Sequence, residues 1–412
     1  MFERSLTAFI KTGRLTIIRP NGQVVHAGEP AGRASNLDVV LRLRRPSSVL
    51  KILLRPDLYL GEAYMDGALV IERGTLWDLF ELCGRNLAHR RSWRRWRLVR
   101  LCQAAARYIQ QFNSPRSAHR NVAHHYDLSE TLFRTFLDND LQYSCAYFRD
   151  PTYSLDDAQE AKKRHLIAKL LIEPGQRILD IGCGWGGLAI SIARSRAVQT
   201  TAVTLSREQL AVARKRARDA GLDHKISFEQ KDYREINGPF DRIVSVGMFE
   251  HVGKPNFRAF FNKLAALLTD DGVAIIHSIV RMDGPGLTHA WTRRYMFPGD
   301  YIPALSEVLP TVERAGLWVT DIEILRLHYA NTLRAWRERF LRNVDLIRGI
   351  YGDRFCRMWE FYLAGSEMAF RYDGLVVFQL QLAKRVDTVP STRDYMFDRE
   401  RAEEAVPRQA LA

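Results

Sequence analysis

No apolar run in this 412-residue chain approaches the roughly 20 residues that a membrane-spanning helix requires. Its five cysteines, Cys83, Cys102, Cys145, Cys183 and Cys356, are scattered and form no C-x-x-C pair. That argues against a disulfide framework and against a zinc site, and it fits a reduced, cytosolic protein. The first 25 residues hold no continuous apolar stretch, because Glu3, Lys11, Arg14 and Arg19 interrupt it, which argues against a secretory signal. There is no internal repeat. Acidic residues are scarce in one region: residues 1–120 carry 21 Lys and Arg against 9 Asp and Glu, so +12 of the net +14 lies in the first third.

What is present is enough for two or three domains, since 46% of the residues are hydrophobic. The basic excess is densest at His89-Arg90-Arg91-Ser92-Trp93-Arg94-Arg95-Trp96-Arg97. Arginines alternating with tryptophans suit an anionic membrane surface. A nucleic-acid backbone would attract the same charges, and a solvated helix with its tryptophans packed inward is the bland alternative.

The pattern before residue 86 predicts a small α+β unit. It has a hairpin over residues 15–29 turning at Pro20-Asn21-Gly22, a strand over 37–43, a helix over 47–54, a short strand over 68–71 and a helix over 76–82. A basic helical linker (86–120) is expected next, with Asn113-Ser114-Pro115-Arg116 as its loosest point. From 121 to 390 the pattern becomes one of alternating strands and helices. Strands are expected at 177–181, 200–205, 226–230, 242–246, 273–279 and 318–325, the mark of a parallel sheet with covering helices. A tail (391–412) closes the chain. The fold class expected is α/β, a seven-stranded Rossmann-like sheet after a smaller α+β domain, with ligands beyond the carboxyl ends of the strands.

The strand over 177–181 runs into Gly182-Cys183-Gly184-Trp185-Gly186-Gly187. This is G-x-G-x-G with another glycine behind it, not the G-x-G-x-x-G of a pyrophosphate cradle, and it suits a compact nucleoside such as S-adenosylmethionine. Asp180 closes that strand, where it either orders the turn or faces a cationic ligand. No acid ends the second strand. Thr204 and Gln209 must then supply ribose hydrogen bonds, unless Ser206 is merely a helix cap and Gln209 a surface residue. Asp232-Tyr233 follows the third strand, where an adenine amine and ring would be gripped. Glu250 and His251 follow the fourth, and His277 lies inside the apolar fifth. Cys145 sits among the aromatics of Gln142 to Phe148, as a nucleophile or as a small buried hydrophobe.

From Val122 to Arg385 the chain closely resembles the cyclopropane-fatty-acyl-phospholipid synthases and their mycolic-acid-modifying relatives. The resemblance is carried by His125-Tyr126-Asp127, Gln142 to Tyr147, Leu179 to Gly187, Val203 to Ser206, Arg242 to Gly253, Trp291 to Pro298 and Leu333 to Phe340. The first 120 residues resemble, more loosely, the N-terminal domain of the longer bacterial synthases. The resemblance implies S-adenosylmethionine as cofactor, held by Tyr143, Ser144, Gly182, Gly184, Thr204, Leu205, Gln209, Asp232 and Tyr233. Many relatives have Trp where this chain has Tyr233. It also implies a bicarbonate ion as general base, held by Cys145, Glu250, His277 and Tyr329 with backbone help from Ile279. Cys145 then becomes an ion ligand rather than a nucleophile.

The implied reaction adds a methylene group to the cis double bond of unsaturated acyl chains in membrane phospholipids, forming cyclopropane rings. Aromatics (Phe148, Trp291, Tyr295, Phe297) are expected to exclude water from a cationic acyl chain. The resemblance and the basic third imply peripheral association with an anionic membrane at the inner face of the cell membrane, and a homodimer. Nucleic acid is not an expected partner. The rivals are a relative that leaves a methyl- or methylene-branched chain, and a non-enzymatic lipid- or nucleic-acid-binding protein.

Overall fold

Arg14–Ile18 (β1) and Val24–Gly28 (β2) pair antiparallel across the Pro20-Asn21-Gly22 turn, where Gly22 takes φ +81°. The computed structural model describes residues 2–28, 37–87 and 129–404. The expected basic helix, the Asn113–Arg116 linker and the His125-Tyr126-Asp127 motif lie outside the described residues.

The described residues fall into two units. The smaller holds the residues up to 87 together with 288–298 and 330–375; the larger holds 129–287, 299–329 and 376–404. In the smaller unit, Asp38–Leu43 (β3) lies parallel to β1 and antiparallel to Leu69–Arg73 (β4). Strict alternation along β3 buries Val39, Leu41 and Leu43. They join Leu15, Ile17, Val25, Ala27, Leu79 and Leu82 in one core. Pro46–Leu54 and Pro56–Met65 (α2 and α3, after the N-terminal helix α1, Phe2–Phe9) each begin with proline, whose missing N–H costs nothing in a first helical turn. The stretch 61–65, left unassigned by the sequence pattern, is the last turn of α3. Leu76–Leu87 (α4) packs on Val344–Tyr372, a helix broken by a kink at Gly352, which contributes Ala364 to the same core. A Cβ at Gly84 would stand 2.2 Å from the Tyr372 ring, so the two helices approach through a glycine.

The larger unit is the expected seven-stranded sheet. In order across it come Trp318–Ile324, Leu375–Ala383, Leu268–Arg281, Phe240–Val246, Arg177–Ile181, Gln199–Thr204 and Ile226–Gln230. In chain order these are β10, β11, β9, β8, β5, β6 and β7. The pairs β5–β6, β5–β8, β6–β7 and β8–β9 are parallel, and β10–β11 is antiparallel. Six strands lie where the pattern put them, within a few residues at their ends. The seventh, β11, was not located from sequence, because buried Gln379 and Gln381 break its apolar run. Of the covering helices, Leu155–Leu170 is capped by Ser154 and Arg207–Asp219 by Ser206. Among the described residues no helix is long and apolar enough to cross a membrane.

Candidate active site

At the carboxyl end of β5 the chain reverses through Gly182 and Gly184. The Gly182 and Cys183 amides both donate to the Val203 carbonyl, at 2.9 and 3.0 Å. Gly182 takes φ +83°, and a Cβ there would come within 2.9 Å of Met248 Cβ, so a side chain is excluded twice. A cavity opens over this turn. Its wall includes all nine residues expected to hold the cofactor: Tyr143, Ser144, Gly182, Gly184, Thr204, Leu205, Gln209, Asp232 and Tyr233.

Of the second reading left open at the second strand, the Ser206 cap is present and the surface placement of Gln209 is not. Ser206 caps its helix by accepting from the Gln209 amide, yet Gln209 is buried, and its Oε1 accepts from Thr204 Oγ1 at 2.9 Å. Asp232 is engaged by Arg234, whose Nε donates to it at 2.8 Å. Tyr233 stands edge-on to Phe260, at 5.3 Å between centroids, which fixes its ring. Tyr143 is braced in the same way by Phe133 and Phe136.

The segment bearing Tyr143 and Ser144 is held down by charges from two helices. Arg216 donates to the Trp185 carbonyl at 2.8 Å and to the Asp140 carboxylate. Lys163 reaches the same carboxylate at 2.7 Å. Burial opposes ionisation of Asp140, but Lys163 and Arg216 outweigh it and hold the group below the usual carboxylate value. Lys162, fully buried, donates to Ser144 Oγ at 2.9 Å and to Gln142 Oε1. Desolvation brings its pKa down to about 8. Asp180 lines the cavity with one carboxylate oxygen lacking a partner among the described residues. Burial pushes its pKa up to about 7, against the pull of Lys162.

The five residues expected at the reaction centre do not line this cavity. Their contacts come in two sets. In the first, the Ile279 amide donates to Glu250 Oε1 at 2.6 Å, and His277 lies two positions earlier on the same strand, β9. Glu250 Oε2 and His277 Nε2 are buried without a hydrogen-bond partner among the described residues. Burial raises the Glu250 pKa against the Ile279 contact. Burial, and then Lys162, Lys169 and His165, press His277 well below its ordinary value. Gln379 Nε2 lies 3.3 Å from His277 Nδ1. With Nδ1 accepting, the proton of the neutral imidazole sits on Nε2.

In the second set, Phe148 N–H donates to His328 Nδ1 at 2.9 Å, and the Tyr147 ring stacks on His328 at 5.0 Å. These contacts pin the segment carrying buried Cys145 to the start of the helix carrying buried Tyr329. The Lys162 charge acts on Cys145, His277 and Asp180 alike. Of the expected water-excluding aromatics, Phe148 belongs to the larger unit, and Trp291, Tyr295 and Phe297 to the smaller one.

Sequence reasoning passed over two residues. Lys162 was not singled out from its charged helix. His251 was placed with Glu250 where substrate would lie but left out of the expected site; it lines the cavity and donates to Asp300 at 2.6 Å. Burial disfavours its charge, yet Asp300 raises its pKa. Its partner lies 49 positions away, which no local motif announces.

A sheet of this order, with a glycine turn opening on a cavity at the carboxyl ends of its strands, is the class I methyltransferase fold. Residues 113–380 match the model of the mycolic acid cyclopropane synthetase family, and the chain belongs to that family, which makes it an S-adenosylmethionine-dependent methyltransferase. It is 35% identical over 349 residues to the cyclopropane-fatty-acyl-phospholipid synthase of Escherichia coli K12, covering 84% of this chain and 88% of that one. It is 40% identical over 281 residues to the tuberculostearic acid methyltransferase UfaA1 of Mycobacterium tuberculosis, covering 65% of each. Among solved structures it is similar to the cyclopropane synthase MmaA2 of M. tuberculosis. The TM-score is 0.62 with 32% identity, over 65% of this chain and 98% of that one.

Proposed function

We propose that this enzyme methylates the cis double bond of an unsaturated acyl chain in a membrane phospholipid and closes a cyclopropane ring, with bicarbonate as the base. S-adenosylmethionine would supply the electrophilic methyl group and bicarbonate a site for the proton lost on ring closure. The observation that carries the reading is the pair of buried polar atoms without partners, Glu250 Oε2 and His277 Nε2, beside the Ile279 amide. Buried polar groups are ordinarily satisfied, so two orphans on adjacent elements fit a small polar ligand.

The protonation states agree with an anionic ligand. A neutral His277 presents an Nε2–H donor, and burial raises the Glu250 pKa, toward the uncharged form. Cys145 and Tyr329 complete the proposed ion site. Around the glycine turn, Thr204–Gln209 and the braced Tyr143 and Tyr233 rings would orient the nucleoside, so that its methyl group meets a weak alkene nucleophile in line.

The E. coli relative, named for phospholipid-bound acyl chains, aligns over most of the chain and supports that substrate. The basic first third supports peripheral attachment to an anionic membrane at the inner face of the cell membrane. A homodimer belongs to the same reading. The identity to UfaA1 favours one rival, in which the product is a methyl-branched chain. Incubation with S-adenosylmethionine and monounsaturated phospholipid vesicles, followed by fatty-acid mass spectrometry, tests both. A gain of one CH₂ as a ring is expected; a branched chain, or no gain, overturns the cyclopropane assignment.

A further inference from the structure

Helix α2 (Pro46–Leu54) faces the core of the smaller unit with Ser48, Val49 and Ile52. Its other side is not the charged surface that a solvated helix presents. Leu50, Leu53 and Leu54 are 60%, 47% and 71% exposed, at the i, i+3, i+4 spacing that puts them on one stripe. Among the described residues, no other three large apolar side chains this exposed fall within five positions. The helix contains no acidic residue, and exposed Arg44, Arg45, Lys51 and Arg55 flank the stripe. The nearest acid, Asp57, stands 3.7 Å from Arg55.

We infer that α2 is a lipid-insertion helix, whose leucines enter the acyl boundary of an anionic phospholipid bilayer while the surrounding cations meet its headgroups. The inference rests on the proposed phospholipid substrate, which requires the enzyme to dwell on a bilayer. Nine residues span only about 14 Å along the helix axis. The helix therefore lies in the plane of the interface rather than crossing it. Charge selects the occupant: a cationic rim complements anionic headgroups, whereas a second copy of the chain would bring an identical cationic rim against this one.

The test uses vesicles of saturated dimyristoyl phosphatidylglycerol and phosphatidylcholine in the fluid phase. They hold no double bond, so binding is read apart from chemistry. The triple variant Leu50→Asn, Leu53→Asn, Leu54→Asn is expected to bind them on the order of tenfold or more weakly. Its S-adenosylmethionine affinity should stay within about twofold of the parent, and Val386→Asn, an exposed apolar position of the larger unit, should bind vesicles as the parent does. Equal vesicle binding by parent and triple variant overturns the inference. So does a loss of self-association in sedimentation with vesicle binding unchanged, which would make α2 a contact between copies.

If the triple variant does not fold, Leu54→Trp decides. The chain has eight tryptophans of its own, so the variant-minus-parent emission is read; it should shift to the blue on adding the vesicles, and an unshifted difference spectrum overturns the insertion. Normal vesicle binding without any methylated product on unsaturated lipid would instead overturn the substrate reading alone.

Discussion

Around the glycine turn the polar side chains come mostly in bonded pairs: Thr204 with Gln209, Asp232 with Arg234, Ser144 with Lys162. Around Glu250, in the turn after β8, and His277, inside β9, they end in atoms with no partner among the described residues. The first region resembles a socket already set, where each group is fixed by its neighbour and little reorganisation is left for binding. The second keeps hydrogen-bonding capacity in reserve at a cost in desolvation, which is reasonable where a group must serve chemistry. Asp180 is the exception within the socket, since its unpaired oxygen belongs with the second kind.

The contrast can be broken most directly at Glu250. Glu250→Ala should lower product formation by roughly 10²- to 10⁴-fold, the range for losing a group that handles a proton. Cofactor affinity should change by less than about threefold in calorimetry. A parallel loss of cofactor binding would show that the two regions are one site. In the socket, Gly182→Ala forces a Cβ to φ +83° and against Met248. The left-handed backbone alone costs about 1–2 kcal/mol. A fall of at least about tenfold in cofactor affinity is expected, with the folded state retained.

Asp180 sharpens the comparison through pH. Its folded pKa, about 7, lies above the ordinary 3.8. The folded state therefore binds the extra proton between those values, and stability falls as pH rises from about 4 to about 7. Asp180→Asn should remove that slope. The unfolding free energy of the parent relative to the variant should drop between pH 5 and pH 7, by about 2–3 kcal/mol, read as a falling difference in melting temperature. A constant difference would mean that the carboxyl is not held protonated. The smallest effect is expected at Tyr233. Tyr233→Trp should leave cofactor affinity within about twofold, while Tyr233→Ala weakens it by about 1 kcal/mol or more.

What could be read without coordinates follows from range. The glycine turn and the parallel strands are local signals, written in consecutive residues, whereas Tyr143, Ser144 and Leu205 of the cavity wall were named by the family resemblance and not by the pattern. The Ser206 cap was equally local. Lys162 was not legible, because its meaning comes from Ser144 and Gln142, which the fold brings to it, and the position of His251 was legible but its partner Asp300 was not. Buried lysine and surface lysine look the same in a string. Strand β11 escaped for a related reason: Gln379 and Gln381 are tolerated in a central strand because Lys169 and His277 lie against them.

The smaller unit draws its core from distant parts of the chain, since Ala364 and the Tyr372 contact of Gly84 come from a helix that ends almost 300 positions after α4 begins. During synthesis, the apolar surface of α4 therefore emerges long before the segment that covers it. At about 5–20 residues per second, that interval is on the order of tens of seconds. Through it the nascent N-terminal third presents an unsatisfied hydrophobic face to the ribosome exit and to chaperones. A truncation ending before Val344 should accordingly be a chaperone client rather than a stable domain, even though all four strands of its sheet are present.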